Sequence, residues 1–110
     1  MKILLDECLP RKLKSELPGY DVQTVPERGW AGKKNGELLR LVAGKFDVFI
    51  PIDGNLPSQQ NLAKLKVALV VLNAYNNRFA TLQPLMSQVI AEMNTLRPGD
   101  IRVFTQEPNS

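Results

Sequence analysis

Leu9, Leu13 and Leu17 recur every fourth residue, with Arg11, Lys12, Lys14 and Glu16 between them. That spacing predicts an amphipathic helix. Pro10 suits its first turn and Pro18-Gly19 ends it. Residues 2–6 are a short apolar run closing on acids and predict a first strand. Residues 20–25 are rich in β-branched and aromatic side chains and predict a second. A loop with Gly29 and Gly32 follows at 26–34. Asn35 can then cap a helix whose apolar face is Leu38, Leu39 and Val42, with Gly44 behind it. Residues 46–52 predict a buried strand, residues 54–60 a turn, and the stretch around 59–65 a short helix. Residues 66–72 form the clearest buried strand, and 73–78 a polar loop. Leu82, Leu85, Val89, Met93 and Leu96 have helical spacing, Pro98-Gly99 stops that helix, and residues 100–105 predict a final strand.

Strands alternating with helices call for a mostly parallel sheet of about five strands with helices on both faces, a three-layer α/β/α sandwich. Its crossovers are expected to be right-handed. The length of 110 residues suits one domain, taken as 1–105, with a disordered tail at 106–110. Hydrophobic residues make up 44% of the chain, enough for a core. The opening apolar run is too short for a signal peptide, and no stretch approaches the ~20 apolar residues of a membrane span. One cysteine, Cys8, excludes an internal disulfide, and a cytoplasmic location is expected. Cys8 itself reads as a small buried hydrophobe.

The chain contains no histidine. Ser-His-Asp and Cys-His systems are thereby excluded, as are zinc sites built on imidazole. Chemistry must rest on carboxylates, amides, lysine, arginine or backbone. The net charge of +3 lies in the first 45 residues, where nine Lys/Arg face six Asp/Glu; the remainder balances. A surplus of that kind is usually a solvated surface, and its sharper meaning is a side that faces a polyanion.

In parallel α/β sheets, ligands bind beyond the carboxyl ends of the strands. Asp6-Glu7 end the first strand, Asp53 and Asn55 follow the third, and Asn73, Asn76 and Asn77 follow the fourth. Asp6 and Asp53 meet if their strands are neighbours. Convergent carboxylates suit Mg²⁺ or Mn²⁺, hard cations that take oxygen ligands. An aspartate at a strand end is equally a turn former. Glu7 alternates away from Asp6, and Glu37 lies in a first helical turn that favours acids in any case. Helix amides near Pro10, with Arg11 and Lys12, can meet phosphate. Trp30 reads as a plug on the side of the core in preference to a stacking platform.

Ile3-Leu4-Leu5-Asp6-Glu7-Cys8-Leu9-Pro10 resembles the opening of the small stand-alone PIN-like domains. The resemblance runs to about residue 104, through Tyr20–Val25, Gly29-Trp30, Asn35–Leu39, Phe46–Ile50, Asp53–Leu56 and Gln59–Asn61. It implies a three-layer α/β fold and a Mg²⁺- or Mn²⁺-dependent ribonuclease. It also implies the toxin of a bacterial toxin–antitoxin pair, with RNA, an antitoxin protein and a second copy of the chain as partners. The implied metal set is Asp6 and Asp53, with Asn35 and Asn55 assisting. Asp6, Asp53 and Glu37 are the implied catalytic residues, and Arg11, Lys12, Lys33 and Lys34 face nucleic acid. Relatives often have acids where Asn35 and Asn55 stand, Thr or Ser in place of Pro51, and sometimes His in place of Tyr20. Two fewer charges weaken metal binding, so a non-cleaving module that binds RNA or protein is the alternative. Self-association alone is a third reading.

Overall fold

The computed structural model describes residues 1–33, 35–52 and 66–106, with the backbone alone at 35 and 36. The short helix expected near 59–65 lies outside them, as do residues 107–110.

Five strands form one parallel sheet: β1 (Lys2–Leu5), β2 (Asp21–Thr24), β3 (Val48–Ile50), β4 (Ala68–Asn73) and β5 (Ile101–Thr105). Their spatial order is β2-β1-β3-β4-β5, parallel throughout. Two α-helices, α1 (Asn35–Val42) and α2 (Phe79–Met93), and two 3-10 helices, Arg11–Glu16 and Pro26–Arg28, complete the described elements. The protein is thus an α/β fold with helices on both faces of its sheet. No described helix is long and apolar enough to cross a membrane.

The inner strands β1, β3 and β4 are mainly apolar runs because both their faces are covered, whereas the edge strands β2 and β5 are partly exposed. Ile3 and Leu5 point to one face, where they join Val48, Ile50, Ala68, Val70 and Leu72. The first 3-10 helix and α2 close that face with Leu9, Leu13 and Leu17, and with Leu82, Leu85, Met86, Val89 and Met93. Leu4, Phe49 and Leu69 point to the other face, against Leu38, Leu39 and Val42 of α1. Trp30 belongs to this second core and meets Phe46 edge-on, ring centroids 6.2 Å apart. Each fully buried leucine contributes roughly 1.5–3 kcal/mol. The α1 helix ends where Gly44, at φ +82°, turns the chain back, so that Lys45 and Phe46 both donate N–H to the Val42 carbonyl.

Two expectations are corrected here. Residues 9–17 do not form an α-helix: the six residues Arg11–Glu16 form a 3-10 helix, with Leu13 N–H bonded to Pro10 O at 3.0 Å. Held between Pro10 and Pro18, so short a segment completes few i→i+4 bonds, and tighter i→i+3 bonds win. Leu13 alone of the three leucines lies inside the helix; Leu9 and Leu17 flank it, and all are buried. The crossovers also do not share one hand. The β1–β2 and β4–β5 connections step in opposite directions along the sheet, yet both cross the face carrying Ile3 and Leu5. The β2–β3 connection agrees in hand with the first, so β4–α2–β5 has the opposite one. The apolar stripe of α2 decides this, because the short 3-10 helix leaves most of that face to cover.

Beyond β2, Thr24 and Glu27 form a reciprocal cap. Glu27 N–H donates to Thr24 Oγ1 at 3.2 Å, and Thr24 N–H donates to Glu27 Oε1 at 3.0 Å. Lys14 Nζ reaches the same carboxylate at 2.9 Å. Lys14 first, and Thr24 after it, hold the Glu27 carboxyl below its ordinary value of 4.5, against an opposing effect of desolvation. A depressed acid stabilises the fold above its unfolded pKa, and that contribution is lost as the pH falls through the folded value. Urea midpoints taken from about pH 5 to about pH 3 should therefore decline less steeply in Glu27→Gln than in the wild type; an unchanged slope contradicts this role.

Candidate functional site

Strand β1 lies between β2 and β3, so the chain departs from it in opposite directions on its two sides. Such a switch point opens a crevice at the carboxyl ends of the strands. Asp6 stands at that point. Its N–H donates to Ile50 O at 3.1 Å, in line with the Val25 N–H bonded to Leu5 O at 2.9 Å. Pro51 continues β3 beside it and is buried. The Pro51 carbonyl accepts from Leu72 N–H at 3.1 Å, and Ile52 bridges Leu72. The chain leading into Asp53 is thus held at the same end of the sheet as Asp6.

Asp6 is 2% exposed, a rare state for a carboxylate. Its Oδ1 accepts from Glu7 N–H at 2.8 Å, and its carbonyl accepts from Leu9 N–H at 3.0 Å. The side chain therefore shapes the turn out of β1 as well as facing the switch point. Glu7 is exposed and turns elsewhere, its two oxygens 3.2 and 3.3 Å from the Gly32 N–H. Glu37, in the first turn of α1, pairs with Lys33 one turn earlier at 3.1 Å. Asn35 is the first residue of α1, its side chain outside the described set; Asp53, Asn55 and Lys34 also lie outside the described residues. Among the described residues, no group of three or more His, Cys, Asp or Glu side chains is placed to hold a metal ion.

The basic residues divide by role. Arg11 is exposed directly after the turn that Asp6 shapes. Lys12 places Nζ 5.3 Å from the ring centroid of Phe79 at the start of α2. Lys33 is engaged with Glu37. Arg28 and Lys45 lie over Trp30 at 4.9 and 5.6 Å and shield its ring, which is only 9% exposed. Trp30 is a core residue, as expected. Cys8 is not: it is exposed, because it lies in the turn after β1 and not in the strand.

The loops at this end are joined. Asn77, in the loop after β4, donates its Nδ2–H to the Cys8 carbonyl at 2.6 Å. Behind that link, a cavity of about 330 Å³ is lined by Tyr75, Thr81, Pro84, Gln88 and Gln106, among others. Sequence reasoning passed over Tyr75 and Gln106. The same carboxyl-end rule that singled out Asp6 also covers the residues just past β4 and β5, and was the available signal. A cavity of similar size lies at the amino ends of the strands, beside Asp47 and Arg97.

No family model, curated protein or solved structure matches this chain.

Asn77→Ala removes the tie between the two loops. It should lower the unfolding free energy in urea by on the order of 1 kcal/mol, the net worth of one such bond. A variant as stable as the wild type contradicts a structural tie here.

Proposed function

We propose that this chain is a PIN-like domain that cleaves RNA with the help of Mg²⁺ or Mn²⁺. The observation that carries the reading is Asp6, 2% exposed, at the switch point between β1 and β3. The donors fit a hard cation in kind: carboxylate and amide oxygens, with no histidine in the chain. Asp6 is the buried donor, and Asp53 is the second that the resemblance implies. When bound, such an ion lowers the pKa of a coordinated water and offsets charge on a phosphodiester.

The chain's own residues supply position and charge. Asp6 is held rigidly by the turn it caps, so its carboxylate needs little reordering. Arg11 and Lys12 follow that turn and attract the phosphate backbone. Glu7 and Glu37 are engaged by Gly32 and Lys33, so neither is assigned to the metal. By the same resemblance, the biological role is that of a toxin restrained by an antitoxin protein.

A second reading, binding of RNA without cleavage, is motivated by Asn35 and Asn55, neutral amides where relatives often carry acids. Incubation with RNA and Mn²⁺ separates the two. Metal-dependent cleavage should fall about a hundredfold or more in Asp6→Asn and in Asp53→Asn, as loss of several kcal/mol of transition-state stabilisation requires. Cleavage that survives both substitutions contradicts the nuclease reading. Absent cleavage, with RNA still bound and calorimetry showing no Mn²⁺ uptake, supports the second.

A further inference from the structure

The cavity at the carboxyl ends of β4 and β5 has the features of a built recognition groove. Tyr75 is 79% exposed, the most exposed of the large hydrophobic side chains among the described residues. Its backbone N–H donates to Gln106 Oε1 at 3.4 Å. Thr81 and Gln106, and after them the Arg78 charge, hold the phenol below its ordinary value of 10, against an opposing effect of desolvation. Gln106 N–H in turn donates to Asn73 O at 2.9 Å. An aromatic ring is thus presented to solvent beside the groove.

The groove's lining is uncharged. Gln88 and Gln106 each bring an amide that can both donate and accept, and Thr81 adds a hydroxyl. Pro84, within α2, has no N–H to give the Ala80 carbonyl, so that acceptor at the groove lacks its ordinary helical donor. The volume of about 330 Å³ lies at the small end for small-molecule sites. A flat ring with hydrogen-bonding edges fits this chemistry, whereas a phosphate does not. A cation is available just outside, because Arg78 is close enough to act electrostatically on Tyr75. Asn77 ties the same loop to Cys8, two residues beyond Asp6.

We propose that this groove holds one unpaired nucleobase of a single-stranded RNA, stacked on Tyr75 with its edge read by Gln88 and Gln106. Arg78 meets the adjoining phosphate, and the strand runs from there toward Asp6. The proposal rests on the RNA-directed reading above and adds to it the place where a base is gripped.

Fluorescence anisotropy of a short labelled RNA, in EDTA to prevent cleavage, tests it independently of catalysis. Tyr75→Ala should weaken binding about tenfold, the loss of one base–aromatic stack. Tyr75→Phe keeps the plate and should remain within about threefold of the wild type. An abasic strand of equal length should bind the wild type more weakly than the intact RNA, and this difference should shrink in Tyr75→Ala. A wild type that binds RNA, with Tyr75→Ala unchanged, overturns the groove and leaves the nuclease reading standing. A wild type that binds no RNA also overturns the groove, and the Mn²⁺ cleavage assay then decides the nuclease reading separately. Binding that depends on Tyr75, in a protein that never cleaves, upholds the groove and sinks only the nuclease reading.

Discussion

The burial of Ile3–Leu5 in β1 is the constraint from which the remaining architecture follows. Ile3, Leu4 and Leu5 are fully buried; β2 and β3 take its two edges, and helices close both faces. Along its buried residues Ile3–Leu5 no polar side chain is tolerated. The next polar side chain is met where the chain leaves the sheet, and it is Asp6. Because the neighbouring strands are reached in opposite directions, the exit of β1 is also where the covering layers part. A buried carboxylate therefore stands at the switch point, the place where parallel α/β sheets bind their ligands. The end of β3 is brought to the same place by its register with Leu5.

The neighbouring acids show how backbone geometry sorts residues that look equivalent in sequence. Asp6 and Glu7 are adjacent, yet one is buried at the switch point and the other reaches out to Gly32. Glu37 lies in the first turn of a helix that packs on the opposite face from the first 3-10 helix, and it pairs with Lys33. Of these carboxylates, Asp6 is buried at the end of β1, while Glu7 meets the Gly32 N–H and Glu37 pairs with Lys33. Functional opportunity extends along the same edge of the sheet, through Asn77 to the groove beside Tyr75.

The inner strands were legible because both their faces are buried: continuous apolar runs such as Val67–Leu72 have no other stable home. The period-four leucines of residues 9–17 correctly marked a buried face but overstated helix type, since spacing cannot weigh six residues held between prolines. Trp30 was readable as core, whereas Cys8 was not, because its residue type favours burial while its place in the turn after β1 exposes it. The hand of the β4–α2–β5 crossover was hidden because it depends on which face has room, a property of the assembled layers. Asp6 was legible from its place at a strand end. The groove was not: Tyr75, Gln88 and Gln106 span loop, helix and strand end, and only the packing of α2 against β5 brings them together.

The central claim is that the exits of β1 and β3 form one divalent-cation site. Amide NMR spectra recorded during a Mn²⁺ titration test it most directly, because the paramagnetic ion broadens only signals close to it. The account predicts broadening that begins at Asp6, Glu7 and Ile52 and disappears in Asp53→Asn. Broadening that is absent, or centred on exposed surface acids such as Asp21, contradicts it.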